Sequence, residues 1–464
     1  MMYLQNYIFH SFTIMLLVNI TQLTSAQNII RGALKPKNDV DSARYHHDLE
    51  EERVMDWTHE SMVSWRIKNC NCKSHDKNLC LPVQKKHVRE IFGFGNGQGN
   101  IVLPLNYSLI TTVAWWNGHN GIDEMCNAHA HNSRAITNDA PIDTNGKSHP
   151  VNLELLGSMV DDPSLRTEWV KIAVNHIITN FYDGLTFDFE SPLSVNDPRN
   201  DAYVMLVKET NKALKDIDEG FQISVCASWG PGLPLGIDGR AYDYKALADA
   251  SDYLYVMQYD TRSQIFYDCT AAPNCPLSIS KLGIEQYLAL GIAPEKIIMG
   301  VPWYGYSYGC VDEGGGELLK CSEENNQIQT CHLKLVPFRG VECSDAAGSQ
   351  IGYENIQKII NSSPDMHGYN ITTDVRVGYY QKTKHFNYCY SPSNGPYPHV
   401  RQLWYDDPES LTAKSLYAKE KNLGGVGPYR FDYVHPGTDL GDALFETLRV
   451  FKEVNGYSRV AAQK

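Results

Sequence analysis

Short apolar runs recur along the chain from about residue 70 onward, separated by longer stretches of mixed polarity. Two of these stretches, 165–181 and 200–217, have the spacing of amphipathic helices. The runs themselves are almost continuously apolar, which is typical of parallel strands that are buried on both faces. There are eight such runs, at 89–95, 110–116, 133–138, 184–190, 222–228, 253–260, 296–305 and 424–430.

Eight strands that alternate with helices predict an α/β fold, a (β/α)8 TIM barrel. An open doubly wound sheet is the alternative, but no G-x-G-x-x-G follows a strand, so the nucleotide-binding forms lose support. The connection between the seventh and eighth runs is long and holds five of the twelve cysteines. We therefore expect residues 306–403 to form an insertion on the catalytic face of the barrel.

The beginning of the chain has the features of a targeting segment. Residues 7–20 are apolar, and small residues follow up to Ala26, which predicts a signal peptide over 1–26. A membrane anchor is the alternative, but the apolar stretch is short and interrupted, and it is poorly suited to span ~30 Å of hydrocarbon. The charged segment 27–65 is predicted to be a lead-in, 66–452 the barrel domain, and 453–464 a C-terminal tail.

Composition narrows the class of partner. The chain has 464 residues, of which 42% are hydrophobic, and a net charge of −13. The hydrophobic fraction is sufficient for a large core. The acidic balance argues against nucleic acid and against an anionic membrane surface as partners. We expect a monomer that binds neither.

Twelve cysteines behind a signal peptide predict disulfide bonds, since the secretory pathway is oxidising. Cys269 and Cys275 flank a short loop and are expected to pair locally, whereas Cys226 is expected to be a buried free thiol. No C-x-x-C pair occurs, so no metal is expected. The sequons at Asn106, Asn361 and Asn370 predict glycosylation.

The candidate chemistry concentrates in the fourth run. On a strand, residues two apart share a face, so Thr186, Asp188 and Glu190 should point into the barrel. The carboxyl end of a TIM-barrel strand is where these folds keep their active sites. Two adjacent, partly buried carboxylates raise each other's pKa, which suits a general acid. The alternative is a solvated pair of carboxylates with no catalytic role.

The run DGLTFDFE, residues 183–190, resembles the signature of the family-18 glycoside hydrolases, the chitinase superfamily. Residues 257–260 (MQYD) and 300–305 (GVPWYG) are similar to further motifs of that family, as are 404–408 (WYDDP) and 424–426 (GGV). The resemblance covers about 66–452. Three runs, at 70–72, 300–306 and 336–348, are most similar to the exo-acting lysosomal branch of the family, which implies a lysosomal or extracellular protein.

The resemblance implies hydrolysis of a β-1,4 bond beside N-acetylglucosamine with retention, in which the acetamido group of the substrate is the nucleophile and no cofactor takes part. Glu190 would be the general acid, Asp188 would hold the acetamido N–H, and Tyr259 would orient the acetamido carbonyl. Asp183 and Gly184 would be structural. The expected substrate contacts are Asp260, Met257, Trp303, Tyr304 and Tyr429.

The exo-acting branch further implies action at the reducing end of the N,N'-diacetylchitobiose core of free oligosaccharides. Two departures from the family pattern bear on this expectation. Thr186 stands where the family has a carboxylate that shares a proton with the next Asp, and Tyr429 stands where it has a Trp under the sugar. An endochitinase, and a chitin-binding lectin without hydrolytic activity, therefore remain as alternatives.

Overall fold

The computed structural model describes residues 56–96, 105–116, 118, 121–314, 316–322, 324–325, 328–362, 384–390 and 397–452. Twelve strands lie in these residues: β1 Glu90–Gly95, β2 Thr112–Trp115, β3 Arg134–Asn138, β4 Gly184–Phe187, β5 Gln222–Ala227, β6 Tyr253–Met257, β7 Ile297–Pro302, β8 Tyr304–Gly309, β9 Gly348–Gly352, β10 Lys384–Tyr390, β11 His399–Tyr405 and β12 Gly425–Tyr429.

Helices cover the outside of the strands and connect most of them. Their bounds are α1 His59–Asn69, α2 Ile122–Ala130, α3 Leu153–Asp161, α4 Ser164–Thr179, α5 Arg199–Ile217, α6 Tyr244–Ala250, α7 Leu277–Ala289, α8 Tyr353–Ser362, α9 Pro408–Glu420 and α10 Asp439–Lys452. The two stretches that the sequence predicted as amphipathic helices correspond to α4 and α5. Helix α1 spans the boundary predicted between the lead-in and the barrel domain.

Eight strands close into a parallel barrel in the order β1-β12-β7-β6-β5-β4-β3-β2. Each strand falls within one of the eight apolar runs, so the prediction of a TIM barrel is confirmed. The runs are apolar on both faces because one face fills the barrel and the other packs against helices. Phe187 of β4, for example, stacks on Trp169 of α4 at 5.8 Å between ring centroids.

The barrel interior changes from polar to aromatic along its axis. Near the amino end of β1, Glu90 accepts a hydrogen bond from Thr112 at 3.1 Å and lies 3.8 Å from Arg134. Farther along, aromatic and aliphatic side chains from several strands form one buried cluster that includes Phe92, Phe94 and Tyr255. This cluster is the floor on which the carboxyl-end residues lie.

A second sheet lies between β7 and β12 in the sequence. Its four antiparallel strands have the order β10-β11-β8-β9, and α8 follows β9 directly. The sheet begins at Tyr304 and ends at Tyr405, which brackets the insertion predicted at 306–403. Because β8 starts two residues after β7 ends, the insertion continues directly from the carboxyl end of a barrel strand.

Five disulfides link the described cysteines: Cys70–Cys80, Cys72–Cys126, Cys269–Cys343, Cys310–Cys331 and Cys321–Cys389. The expected local pair of Cys269 and Cys275 is wrong, because Cys269 bonds across 74 residues and Cys275 is a buried free thiol. The prediction that Cys226 is free and buried is confirmed.

Several sequence predictions concern the surface and the ends of the chain. No helix among the described residues is long and apolar enough to cross a membrane. Asn106 is half-buried and Asn361 is exposed at the end of α8, whereas Asn370 and the signal segment lie outside the described residues. Glycosylation at these sequons stays a prediction.

Candidate active site

The two carboxylates of the fourth run lie directly after β4, at the carboxyl end of the barrel. Phe187 and Phe189 point outward, where both pack against Tyr203 of α5. Thr186 points inward, and its hydroxyl lies 3.7 Å from the thiol of Cys226 on β5. This alternation directs Asp188 to the barrel interior, as the two-residue period of a strand requires.

Asp183 and Gly184 lie at the opposite, amino end of β4. The carboxylate of Asp183 accepts hydrogen bonds from the backbone N–H groups of Val83 and Ala135, and it contacts His129 at 2.7 Å. Burial alone would raise the pKa of Asp183, but His129 and these hydrogen bonds lower it. A side chain at Gly184 would collide with the backbone, since its Cβ would lie 1.8 Å from the carbonyl oxygen of Gln222. Asp183 therefore ties neighbouring segments together, and Gly184 allows β4 and β5 to approach closely, both at the end of β4 opposite to Glu190.

Asp188 is partly exposed, but its Oδ1 atom is enclosed and has no hydrogen-bond partner among the described residues. Its backbone N–H donates to Oδ2 of Asp139 at 3.1 Å. Burial, followed by the charges of Glu190 and Asp139, raises the pKa of Asp188 well above its usual range. The thiol of Cys226 opposes this shift, yet no donor among the described residues lies within hydrogen-bond distance of Oδ1.

Glu190 extends toward solvent, and 46% of its side chain is exposed. Its Oε2 atom pairs with Nη1 of Arg240 at 3.1 Å, and Nη2 of the same guanidinium pairs with Asp238 at 3.0 Å. Arg240 itself is almost fully buried. A guanidinium held at both ends is a rigid anchor, so it fixes the position of one oxygen of Glu190.

Aromatic rings from several strands lie near Asp188, and those of Tyr259 and Tyr429 interact with its charge. Tyr429, at the end of β12, lies 5.6 Å from Tyr259, 5.8 Å from Phe94 and 5.9 Å from Tyr304, measured between ring centroids. Tyr429 keeps part of its surface exposed, whereas Tyr259 and Tyr304 are buried. Tyr429 is therefore the one of these three rings that has a face available to a sugar.

Asp260 links the barrel to the second sheet. Its carboxylate accepts hydrogen bonds from the hydroxyls of Tyr304 at 2.6 Å and Tyr306 at 3.0 Å. Burial raises the pKa of Asp260 to about 6, although both hydroxyls oppose that shift. These contacts fix the position of β8 relative to the end of β6.

Two expected substrate contacts are placed differently from the others. Trp303 is fully buried between Phe431 and Phe445, on the side of the barrel that faces α10. The expectation that Trp303 touches a ligand does not fit this position, because no solvent reaches its ring. Met257 is inside the barrel and belongs to the aromatic cluster, with 9% of its surface exposed.

Sequence reasoning missed two residues of this site. Asp139 directly follows β3, so the rule that pointed to Asp188, a polar residue at a strand's carboxyl end, could have found it. Arg240 lies on a loop 13 residues after β5 ends, and no spacing pattern marks it.

The sequence also implied that Asp188 has no like charge next to it inside the barrel. Thr186 is indeed neutral there, but Asp139 supplies a like charge from the neighbouring strand.

Comparison with known proteins identifies the family. Residues 152–433 match the model of "Glycosyl hydrolases family 18". The chain is 35% identical over 357 residues to the di-N-acetylchitobiase of Homo sapiens, which covers 77% of this chain and 81% of the human protein. It is also 35% identical over 377 residues to the probable di-N-acetylchitobiase 2 of Dictyostelium discoideum, covering 79% of this chain and 86% of that protein.

Solved structures agree with the fold. A family GH18 chitinase from Cycas revoluta, crystallised with allosamidin, superposes with a TM-score of 0.56 at 18% identity and covers 78% of this chain and 99% of its own. The class V chitinase of Nicotiana tobaccum has a TM-score of 0.56 at 16% identity and covers 78% of this chain and 99% of its own. The chain, with its closed parallel barrel and its match over both relatives, belongs to family 18 of the glycosyl hydrolases and is a glycoside hydrolase.

Proposed function

We propose that this enzyme hydrolyses the β-1,4 bond of the N,N'-diacetylchitobiose core of free oligosaccharides, acting from the reducing end. The names of the relatives at 35% identity support this substrate class. The observation that carries the proposal is the arrangement after β4, where a solvent-facing Glu190 lies two residues from Asp188, whose enclosed Oδ1 has no partner among the described residues. An acetamido N–H of a bound sugar would satisfy that oxygen.

The proposed mechanism assigns one role to each group. Glu190 protonates the glycosidic oxygen while the acetamido oxygen of the sugar attacks the anomeric carbon, which forms an oxazolinium ion and releases the leaving sugar. Asp188 accepts the acetamido N–H and offsets the positive charge, and Tyr259 orients the acetamido carbonyl. Glu190 then takes a proton from the water that opens the ring, so the anomeric configuration is retained.

Tyr429 is proposed to be the surface under the sugar at the cleaved bond. Its ring is partly exposed, and its contacts with Phe94 and Tyr259 hold it in place. A phenol ring covers less of a sugar face than an indole, so this subsite would bind more weakly than one that has Trp. We further propose that the protein acts in the lysosome, which the resemblance to the lysosomal branch implies; its five disulfides support folding in the oxidising secretory pathway.

The decisive experiment is product analysis. A chitotetraose with a radiolabel in its intact reducing-end residue is incubated with the purified protein at acidic pH. Labelled N-acetylglucosamine as the only labelled product is expected. Labelled disaccharide among mixed lengths would favour an endochitinase, and binding without cleavage would favour a lectin. The first anomer formed, read by proton NMR, tests retention.

The acid assignment is tested by Glu190→Gln. This variant should lose about 10²- to 10⁴-fold in kcat, the range that general acid–base catalysis contributes, while it keeps oligosaccharide binding. Glu209→Gln is the matched control, because Glu209 lies on the outer helix α5, where it pairs with Arg166 at 3.1 Å. Equal turnover of the two variants would refute the role of Glu190.

A further inference from the structure

Asp139 is a buried carboxyl at the carboxyl end of β3 that none of the family motifs in this sequence includes. Only 8% of its surface is exposed. Its Oδ2 atom accepts the backbone N–H of Asp188 at 3.1 Å. A carboxylate that accepts a backbone amide in a buried setting fixes the local chain direction, here at the residue that carries one of the two proposed reacting carboxylates.

The charges near this contact come from several strands and loops. Asp139 and Asp188 face one another and Glu190, and all three are carboxyls. Among the described residues, the other titratable or charged groups that interact with Asp139 or Asp188 are Arg240, Cys226, Tyr203, Tyr255, Tyr259 and Tyr429. Arg240 is the one permanent cation in this set, and its guanidinium is already held by Glu190 and Asp238.

Thr186 and Cys226 lie inside the barrel on the amino-terminal side of Asp188, and neither carries a charge that could replace that of Asp139. Thr186 has a hydroxyl, and the thiol beside it on Cys226 stays protonated because burial raises the pKa of that thiol well above its usual range. The like charges that act on Asp188 therefore belong to Asp139, on the neighbouring strand, and to Glu190, two residues farther along the chain. Burial raises the pKa of Asp139 itself to about 7.

We propose that Asp139 is a positioning residue for the reaction, which fixes the backbone at Asp188 and sets the upper pH limit of activity in place of the carboxylate that Thr186 lacks. This inference rests on the proposed glycosidase function. Asp139 acts through Asp188, since it is buried and its Oδ2 atom holds the backbone N–H of that residue. Above about pH 7 Asp139 places a negative charge beside Asp188 and Glu190, and a like charge disfavours the ionised form of a neighbouring carboxyl.

The test compares pH profiles of kcat/KM for the wild-type protein and for Asp139→Asn, with chitotriose as the substrate. The amide oxygen of Asn can still accept the Asp188 N–H, but the charge is lost. The alkaline limb should move to lower pH by about one unit, the usual size of a close like-charge effect. The acid limb should hardly move, because Asp139 is already neutral there.

Three further variants separate this role from a structural one. Asp139→Glu keeps the charge and should return the alkaline limb toward its wild-type position. Asp143→Asn removes a buried carboxyl that is paired with His149 at 2.9 Å and should leave both limbs in place. Asp139→Ser carries the same charge test if the Asn variant does not fold, since it also removes the charge, although its shorter side chain gives up the contact with the amide.

A merely structural Asp139 would lower activity equally at every pH, and an unmoved alkaline limb in a folded Asn variant would overturn the inference. Wild-type protein that binds chitotriose without cleaving it would instead refute the proposed function. In that case the same variants are compared by the pH dependence of chitotriose binding, where the midpoint should move in the same direction. Wild-type protein that neither cleaves nor binds would overturn both.

Discussion

Lys414 and Asp406 form an ion pair that is closed off from solvent, and removing one partner should be costly. Nζ of Lys414 on α9 lies 2.8 Å from Oδ1 of Asp406, and the two side chains are 1% and 0% exposed. Oδ2 of Asp406 has no hydrogen-bond partner among the described residues. Lys414→Ala would therefore leave a buried carboxylate whose main source of compensation is gone.

The magnitude follows from the geometry. At 2.8 Å and an effective dielectric constant of about 20, the attraction between the two charges is about 6 kcal/mol before desolvation is counted. Removing one partner of a buried pair costs about 3–5 kcal/mol in the free energy of unfolding. The matched control is Lys421→Ala, because Lys421 directly follows α9 and pairs with the half-exposed Glu285, so its loss should cost at most about 1 kcal/mol.

The assay is urea unfolding at pH 7 with the disulfides intact, followed both by tryptophan fluorescence and by circular dichroism. Coincidence of the two signals justifies a two-state free energy. Lys414→Met combined with Asp406→Leu should recover at least half of the loss, since replacing both charges removes the desolvation cost. If Lys414→Ala costs no more than Lys421→Ala, then the pair is not isolated from water, and the reasoning fails.

Three other variants test the site and its scaffold. Tyr429→Ala should raise KM for chitotriose about 10-fold with a smaller change in kcat, and an unchanged KM would remove Tyr429 from the sugar subsite. Arg240→Met should lower kcat about 10- to 100-fold, because Oε2 of Glu190 loses the group that holds it at 3.1 Å; steady-state kinetics with kcat at the wild-type value would contradict this role. Replacing Cys72 and Cys126 by Ser opens a loop closed across 54 residues and should cost about 4 kcal/mol in urea unfolding, and a loss below about 1 kcal/mol would contradict the loop-closure argument.

The barrel could be predicted from the sequence because its signal is local and repeated. A strand that is buried on both faces must be apolar at nearly every position, whatever its neighbours are. Eight such runs, alternating with helices, leave few topologies other than a closed parallel barrel. The positions of Asp188 and Glu190 followed from the same local rule, since they end the fourth run.

Contacts between distant segments could not be predicted in this way. The partner of Cys269 is Cys343 rather than the nearer Cys275, because the insertion folds back against the loop that follows β6. Trp303 and Tyr304 are adjacent in the sequence, yet the first packs toward α10 and the second faces the barrel. Only the direction in which the chain leaves β7 decides which ring is inside.

The sequence by itself thus determined the fold, the family and the two carboxylates proposed for the reaction, since each depends on residue type and spacing within single strands and on the repetition of those strands along the chain. The tertiary structure decided what surrounds those residues. Asp139 reaches Asp188 from the neighbouring strand, and Arg240 reaches Glu190 from a loop. Electrostatic interactions depend on distance in space rather than along the chain, so the charges that control these two carboxylates became visible only once the barrel had closed.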